Sequence, residues 1–232
     1  MDNASTNQVK ISKVKFVINT PNILSAQRMF YYCKIKDIDL SNFNCLISSL
    51  NYAFYGMTNI TELDITGLNT LMNESVQCMF SESNKLENIY GIQNLDVSNC
   101  NNFTAMFYNC SKLNNIDISR WDTSKATNMN AMFTGCTLLN NLDIPEIPVN
   151  CDTTSTASIF SGCTSLSNIK SCKTISSSVS FSDSPLTRES ALKVINALNP
   201  EVVGTLTLKA STKELLTDED ELIATNKGWQ IL

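Results

Sequence analysis

A short phrase returns along this chain every 24 to 27 residues, and that period constrains the fold more than any other feature. Its anchor is a phenylalanine at Phe30, Phe54, Phe80, Phe107, Phe133 and Phe160, most often preceded by Met or Ile. Six residues on comes an aliphatic, and three later another: Ile60 and Leu63, Leu86 and Ile89, Leu113 and Ile116, Leu139 and Leu142, Leu166 and Ile169. The first copy carries the pair one step earlier, at Ile35 and Ile38. A fixed period of this size belongs to architectures whose single unit cannot bury its apolar face alone and must stack on its neighbours. The expectation is an α/β solenoid, with a parallel sheet on one face and short helical turns on the other.

One unit shows why. Met129, Met132 and Phe133 fall at i, i+3 and i+4, one face of a helical turn, and Thr134-Gly135-Cys136 breaks it. Leu142 and Ile144 then alternate with Asn141 and Asp143, as in a half-buried strand. Trp121-Asp122-Thr123-Ser124 reads as a turn with a buried aromatic, and Phe43, Leu68 and Leu95 take the position of Trp121 in other copies.

The copies decay at both ends, which suggests three parts: residues 1–28 as an N-terminal edge, 29–185 as the repeats, and 186–232 as a small α/β cap. Val9 to Ile18 is strand-like, and Phe181 reads as a degenerate seventh anchor. Thr187 to Leu198 is predicted helical and is stopped by Asn199-Pro200. Gly204 to Ala210 alternates as a strand, Thr217 opens a second helix that Gly228 ends, and Trp229 to Leu232 returns as a last strand.

Composition narrows function. A net charge of −5 and a pI near 4.8 argue against a phosphate-backbone partner, so nucleic acid is not expected. The chain has no histidine, the commonest general base and metal ligand. Ser and Cys nucleophiles therefore lack the usual partner, and no Gly-rich phosphate loop occurs. An enzyme is not expected, nor is a cofactor or a metal. Four of the nine cysteines, Cys33, Cys110, Cys136 and Cys163, sit three residues after an anchor, so they read as one buried structural column. Met1 to Lys15 holds no apolar h-region, and no apolar run reaches the roughly 18 residues of a membrane span.

Asn101 to Ile144 resembles the BspA-type leucine-rich repeat. The shared pattern is Met-x-x-Met-Phe, Gly-Cys, Leu-x-x-Leu-Asp and Trp-Asp-Thr-Ser, matched by Met129, Met132, Phe133, Gly135, Cys136, Leu139, Leu142, Asp143 and Trp121 to Ser124. The likeness extends over about residues 26–172, and the segment from Ser184 resembles a module that follows such repeats. That family occurs in surface antigens and adhesins of gut and oral bacteria, in mycoplasma lipoproteins and in phages. The resemblance implies a leucine-rich-repeat solenoid and a non-catalytic function, attachment of a bacterium or virus to a host surface; the expected partner of this chain is a bacterial surface glycan or protein. With no export signal visible, the expected setting is a phage virion or an extracellular surface. The alternative is a structural virion component whose repeats, Trp229 and Thr187–Leu198 helix contact other subunits or form an oligomer.

Register assigns the outward strand positions that would do the binding: Asp39, Asp64, Tyr90, Ile92, Asn115, Asp117, Asn141, Asp143 and Lys170, with Pro145 in the same series. The face offers acceptors and one central aromatic, a composition suited to sugar hydroxyls or a basic protein patch. The other reading of its aspartates is that each bonds a nearby Ser, Thr or backbone N–H.

Overall fold

The computed structural model describes residues 13–149, 151 and 159–232. The expected strand at Val9 to Ile18 falls partly outside that range, as do residues 1–12 of the expected N-terminal edge.

The anchors form a column. Phe30, Phe54, Phe80, Phe107, Phe133, Phe160 and Phe181 stack ring on ring, with centroids 4.6 to 5.9 Å apart and ring planes within 7 to 14° of parallel. All seven are buried, so Phe181 continues the series. Each burial contributes roughly 1.5–3 kcal/mol by transfer from water. Offset stacking at this spacing adds to it. Trp121 lies beside the column, near Phe103 and Phe107, and its indole N–H donates to the Ile92 carbonyl at 3.0 Å.

The anchor segments are not helical turns. Two residues before the anchor, Arg28, Tyr52, Cys78, Ala105 and Ala131 all adopt left-handed φ, and two residues after it so do Tyr32, Gly56, Glu82, Asn109, Gly135 and Gly162. That alternation turns every second amide along the stack. The N–H groups of Leu50, Tyr52, Phe54 and Gly56 donate to Ser75, Gln77, Met79 and Ser81 one coil on. The amides between them bond locally three residues back, as Ala53 does to Leu50 and Tyr55 to Tyr52. Coils 3 and 4 repeat the scheme from Val76 to Asn102 and from Phe103 to Asn128. The backbone bonds so made, with side-chain acceptors such as Asn51 Oδ1 for the Gln77 N–H, offset the left-handed strain at non-glycine positions.

The +3 column has a polar task as well as a packing one. The thiols of Cys110, Cys136 and Cys163 donate to the anchor carbonyls of Phe80, Phe107 and Phe133 one coil back, at 3.1 to 3.2 Å. Where the column holds Ser83, the hydroxyl donates to Phe54 at 2.9 Å. Met57 fills the same position in the second coil without a donor, so the bond accompanies the packing and is not required by it.

Opposite the anchors run short parallel strands. β1 (Lys13–Ser25) pairs with β2 (Asp37–Ser49), β3 (Glu62–Asp64) with β4 (Asn88–Tyr90), and β5 (Asn141–Ile144) with β6 (Asn168–Cys172). The ladders are separate pairs, extended by single bridges such as Asn115 to Asn141, and not one continuous sheet. Leu63, Ile89, Leu142 and Ile169 point inward from them.

After the sixth coil the chain builds a three-stranded parallel sheet of β7 (Val179–Phe181), β8 (Gly204–Leu208) and β9 (Trp229–Ile231), with helices α1 (Arg188–Ala197), α2 (Ala210–Lys213) and α3 (Asp218–Asn226). Thr187 caps α1 by accepting from the Ser190 N–H, and Thr217 and Asp220 form a capping box on α3. Arg188 grips Asp220 with Nε to Oδ2 at 2.9 Å and a second guanidinium nitrogen to Oδ1 at 2.8 Å, tying α1 to α3. Ala210 opens α2 and does not extend β8.

At the end of the stack a side chain replaces the missing coil. The Gly162 N–H, which in earlier coils would reach a backbone carbonyl, donates to Asp183 Oδ2 at 2.7 Å. Asp183→Ala leaves that half-buried amide unpaired and is expected to cost about 1–3 kcal/mol. A urea unfolding midpoint equal to that of the parent protein would contradict this account.

Candidate binding face

The outward residues of the strand side are held by bonds within a coil and between coils. Asp39, Asp64 and Asp117 each close a turn on the residue two positions on. Asp39 Oδ1 accepts the Ser41 N–H at 3.0 Å and its hydroxyl at 2.6 Å. Asp64 accepts both groups of Thr66 at 2.9 and 2.7 Å, and Asp117 both groups of Ser119 at 3.1 and 2.7 Å. These bonds hold the Asp39 and Asp117 carboxyls below the ordinary carboxylate range, the serine hydroxyl contributing most in each case. The turns use one oxygen of each carboxylate. Among the described residues, Oδ2 of Asp64 and Asp117 makes no hydrogen bond, while Asp39 Oδ2 lies 3.6 Å from Lys15 Nζ.

Between coils the amides and long side chains link up. Tyr90 Oη donates to Glu62 Oε1 at 3.1 Å, which raises the phenol above its ordinary range while its ring stays half exposed. Lys170 Nζ reaches across the intervening coil to Asn115 Oδ1 at 3.0 Å, and Asn168 donates to Asn141 Oδ1 at 2.7 Å. Ser171 donates to Asp143 at 2.5 Å, because the β5–β6 register slips between Leu142 and Asp143 and sets Asp143 opposite Ser171. A shallow pocket of about 210 Å³ lies at Asp39, Ser41 and Asp64.

Two expected members of the face are elsewhere. Ile92 is buried, 3% exposed, because Gly91 at φ 86° turns the chain into a short 3-10 turn, Ile92–Asn94, that carries the side chain inward. Pro145 is buried as well. Asp39, Asp64, Tyr90, Asn115, Asp117, Asn141, Asp143 and Lys170 are exposed or half exposed along the strand side.

A second exposed feature on the anchor side was missed. Tyr31, Tyr32, Tyr52 and Tyr55 gather into one aromatic cluster on the first two coils. Its signal in the sequence is tyrosine at one and two residues after Phe30 and one after Phe54, where the later coils carry mostly small or polar residues.

Among the described residues no group of His, Cys, Asp or Glu is arranged to hold a metal, and no helix is long and apolar enough to cross a membrane. Comparison with curated proteins and with solved structures finds no match. A family model described as "Mycoplasma protein of unknown function, DUF285" matches residues 48–174. That span is more than half of the chain and covers the best-formed coils, so the chain belongs to the DUF285 family.

Proposed function

We propose that the chain is a BspA-like leucine-rich-repeat solenoid that acts as a non-catalytic attachment protein, holding a bacterial surface glycan or protein from a virion or extracellular surface. The observation that carries this reading is the strand side itself. It presents carboxylate and amide acceptors at coil spacing, each already fixed by a turn or an inter-coil bond. Groups held this way lose little conformational freedom on binding, which favours affinity from many modest contacts. The half-exposed Tyr90 ring adds apolar contact area at its middle.

The reading is tested with Tyr90→Ala and Asp117→Arg in a saturation binding assay on intact bacteria. Both side chains lie on the surface, so melting temperatures should stay within a few degrees of the parent protein. Binding is expected to weaken by about tenfold or more in each variant. Undiminished binding by both would remove this face from the account.

A structural role in an assembly has one observation in its favour. Val203, Leu215, Leu222 and Leu232 of the C-terminal part are half or more exposed. Trp229 is not available for such a contact, being buried with its N–H donated to the Asn199 carbonyl, and Ala191, Val194 and Ile195 of α1 are buried too.

A further inference from the structure

Four of the six tyrosines share one small surface on the anchor side of the first two coils. Tyr31 meets Tyr32 edge to face at 4.8 Å and stacks on Tyr55 at 5.0 Å, and Tyr52 leans on Tyr55 at 5.7 Å. Tyr31 and Tyr32 remain 44% and 51% exposed. An exposed aromatic cluster of this kind needs a reason beyond folding.

Two features argue that the surface is built to stay open. Tyr32 holds φ 51° at a column position that coils 2, 5 and 6 fill with glycine, so the chain accepts strain to present a ring there. The ring lies over Gly56, where a β-carbon would come within 2.5 Å of it. The charge on the platform also has no partner carboxylate among the described residues. The Arg28 guanidinium sits 5.7 Å from the Tyr31 ring centre and 5.4 Å from that of Tyr52, and among the described residues no carboxylate lies within ion-pair distance of it. The nearby Glu82 instead accepts from Asn109 at 3.1 Å.

From this juxtaposition of an open tyrosine platform with a guanidinium that no described carboxylate pairs, we infer that the surface is a binding site for an acidic sugar. The apolar face of a uronic acid ring lies on Tyr31 and Tyr32, phenolic hydroxyls bond its hydroxyls, and its carboxylate pairs with Arg28. Tyrosine supplies rigid amphipathic contact area with little entropy to lose, and the guanidinium fork matches a carboxylate in two parallel hydrogen bonds. The inference rests on the attachment reading and names a ligand class for it, on a second face.

The probe is the tetramer of α-1,4-linked galacturonic acid, titrated into the full chain by calorimetry beside its methyl ester, which keeps the rings and removes the charge. The acid is expected to bind saturably and the ester about tenfold more weakly or worse. Arg28→Gln and Tyr31→Ala should each weaken the acid by about tenfold, with unchanged circular dichroism melts, and Arg28→Lys should restore part of the loss. Equal binding of acid and ester, no binding of either, or binding untouched by the variants would overturn the inference. So would preferential binding of a proline-rich peptide, or a dimer in sedimentation abolished by Tyr31→Ala, either of which names a different occupant. If the protein binds bacteria and the tetramer neither binds it nor competes, the acidic-sugar site fails and attachment stands. If the tetramer binds through Arg28 and no cell does, attachment fails and the site stands.

Discussion

Phe107→Ala and Phe133→Ala are each expected to lower the free energy of unfolding by about 3–5 kcal/mol. These rings lie mid-column, fully buried, with a parallel ring on either side at 5.2 to 5.9 Å. Truncation removes the transfer energy of the ring and opens a cavity that neighbours cannot close, because backbone bonds between coils fix their spacing. In a chain of this length the loss corresponds to a fall in melting temperature of roughly 6–20 °C. Tyr90→Ala, on the surface, is the matched control. Thermal scans in which the mid-column variants melt with the parent protein would show that the stacked rings do not hold the coils together.

Raising the pH above 9 is expected to destabilise the protein steeply. Burial pushes the thiols of Cys100 and Cys163 up to about 12, and those of Cys110 and Cys136 well above the ordinary value of 9.0. A raised folded-state value means stability that is complete below the unfolded value and is lost as pH rises through 9 towards the folded values. At pH 10 each of these four thiols withdraws on the order of 1 kcal/mol, and together they remove a large fraction of the stability of an ordinary domain. Urea midpoints measured from pH 7 to 10 should therefore collapse above pH 9. Cys136→Ser should flatten the fall by one thiol's share, since Ser83 already fills the same column position. A midpoint flat to pH 10 would mean the thiols ionise without cost.

Much of this arrangement was legible because burial repeats with the chain. The anchor column needs only one aromatic per coil at constant spacing, and Phe30 to Phe160 display it openly. The terminal caps were legible for local reasons: Thr187 and Thr217 each bond an amide three residues on, and Gly228 takes the left-handed φ of 80° that ends α3. The anchor turns were not. Met129, Met132 and Phe133 are all fully buried, as a helical face requires, yet Ala131 and Gly135 sit at φ 55° and 77°. The inter-coil ladder that repays this conformation is a non-local cost balance that periodicity cannot report. Gly56, Gly135 and Gly162 at one column position were its visible trace.

The candidate face was legible in part. Alternation placed Asp64, Tyr90, Asn115 and Asp117 outward, and they are exposed. It failed at Ile92 because Gly91 ends the strand one residue earlier than strict alternation assumes. A bulge after Leu142 then shifts the β5–β6 register by one and sets Asp143 opposite Ser171, which alternation does not report. The tyrosine cluster was not legible because two of its members follow Phe30 and two flank Phe54, and only the stacking of coils brings them together.

The most direct test of the attachment account is a saturation isotherm of the labelled full chain on intact bacteria from a panel of species. The account predicts saturable binding to at least one surface, competed by unlabelled protein and weakened by Tyr90→Ala and Asp117→Arg. A folded protein that binds none of them, while self-associating through the exposed leucines of its C-terminal part, would contradict it and favour the assembly role.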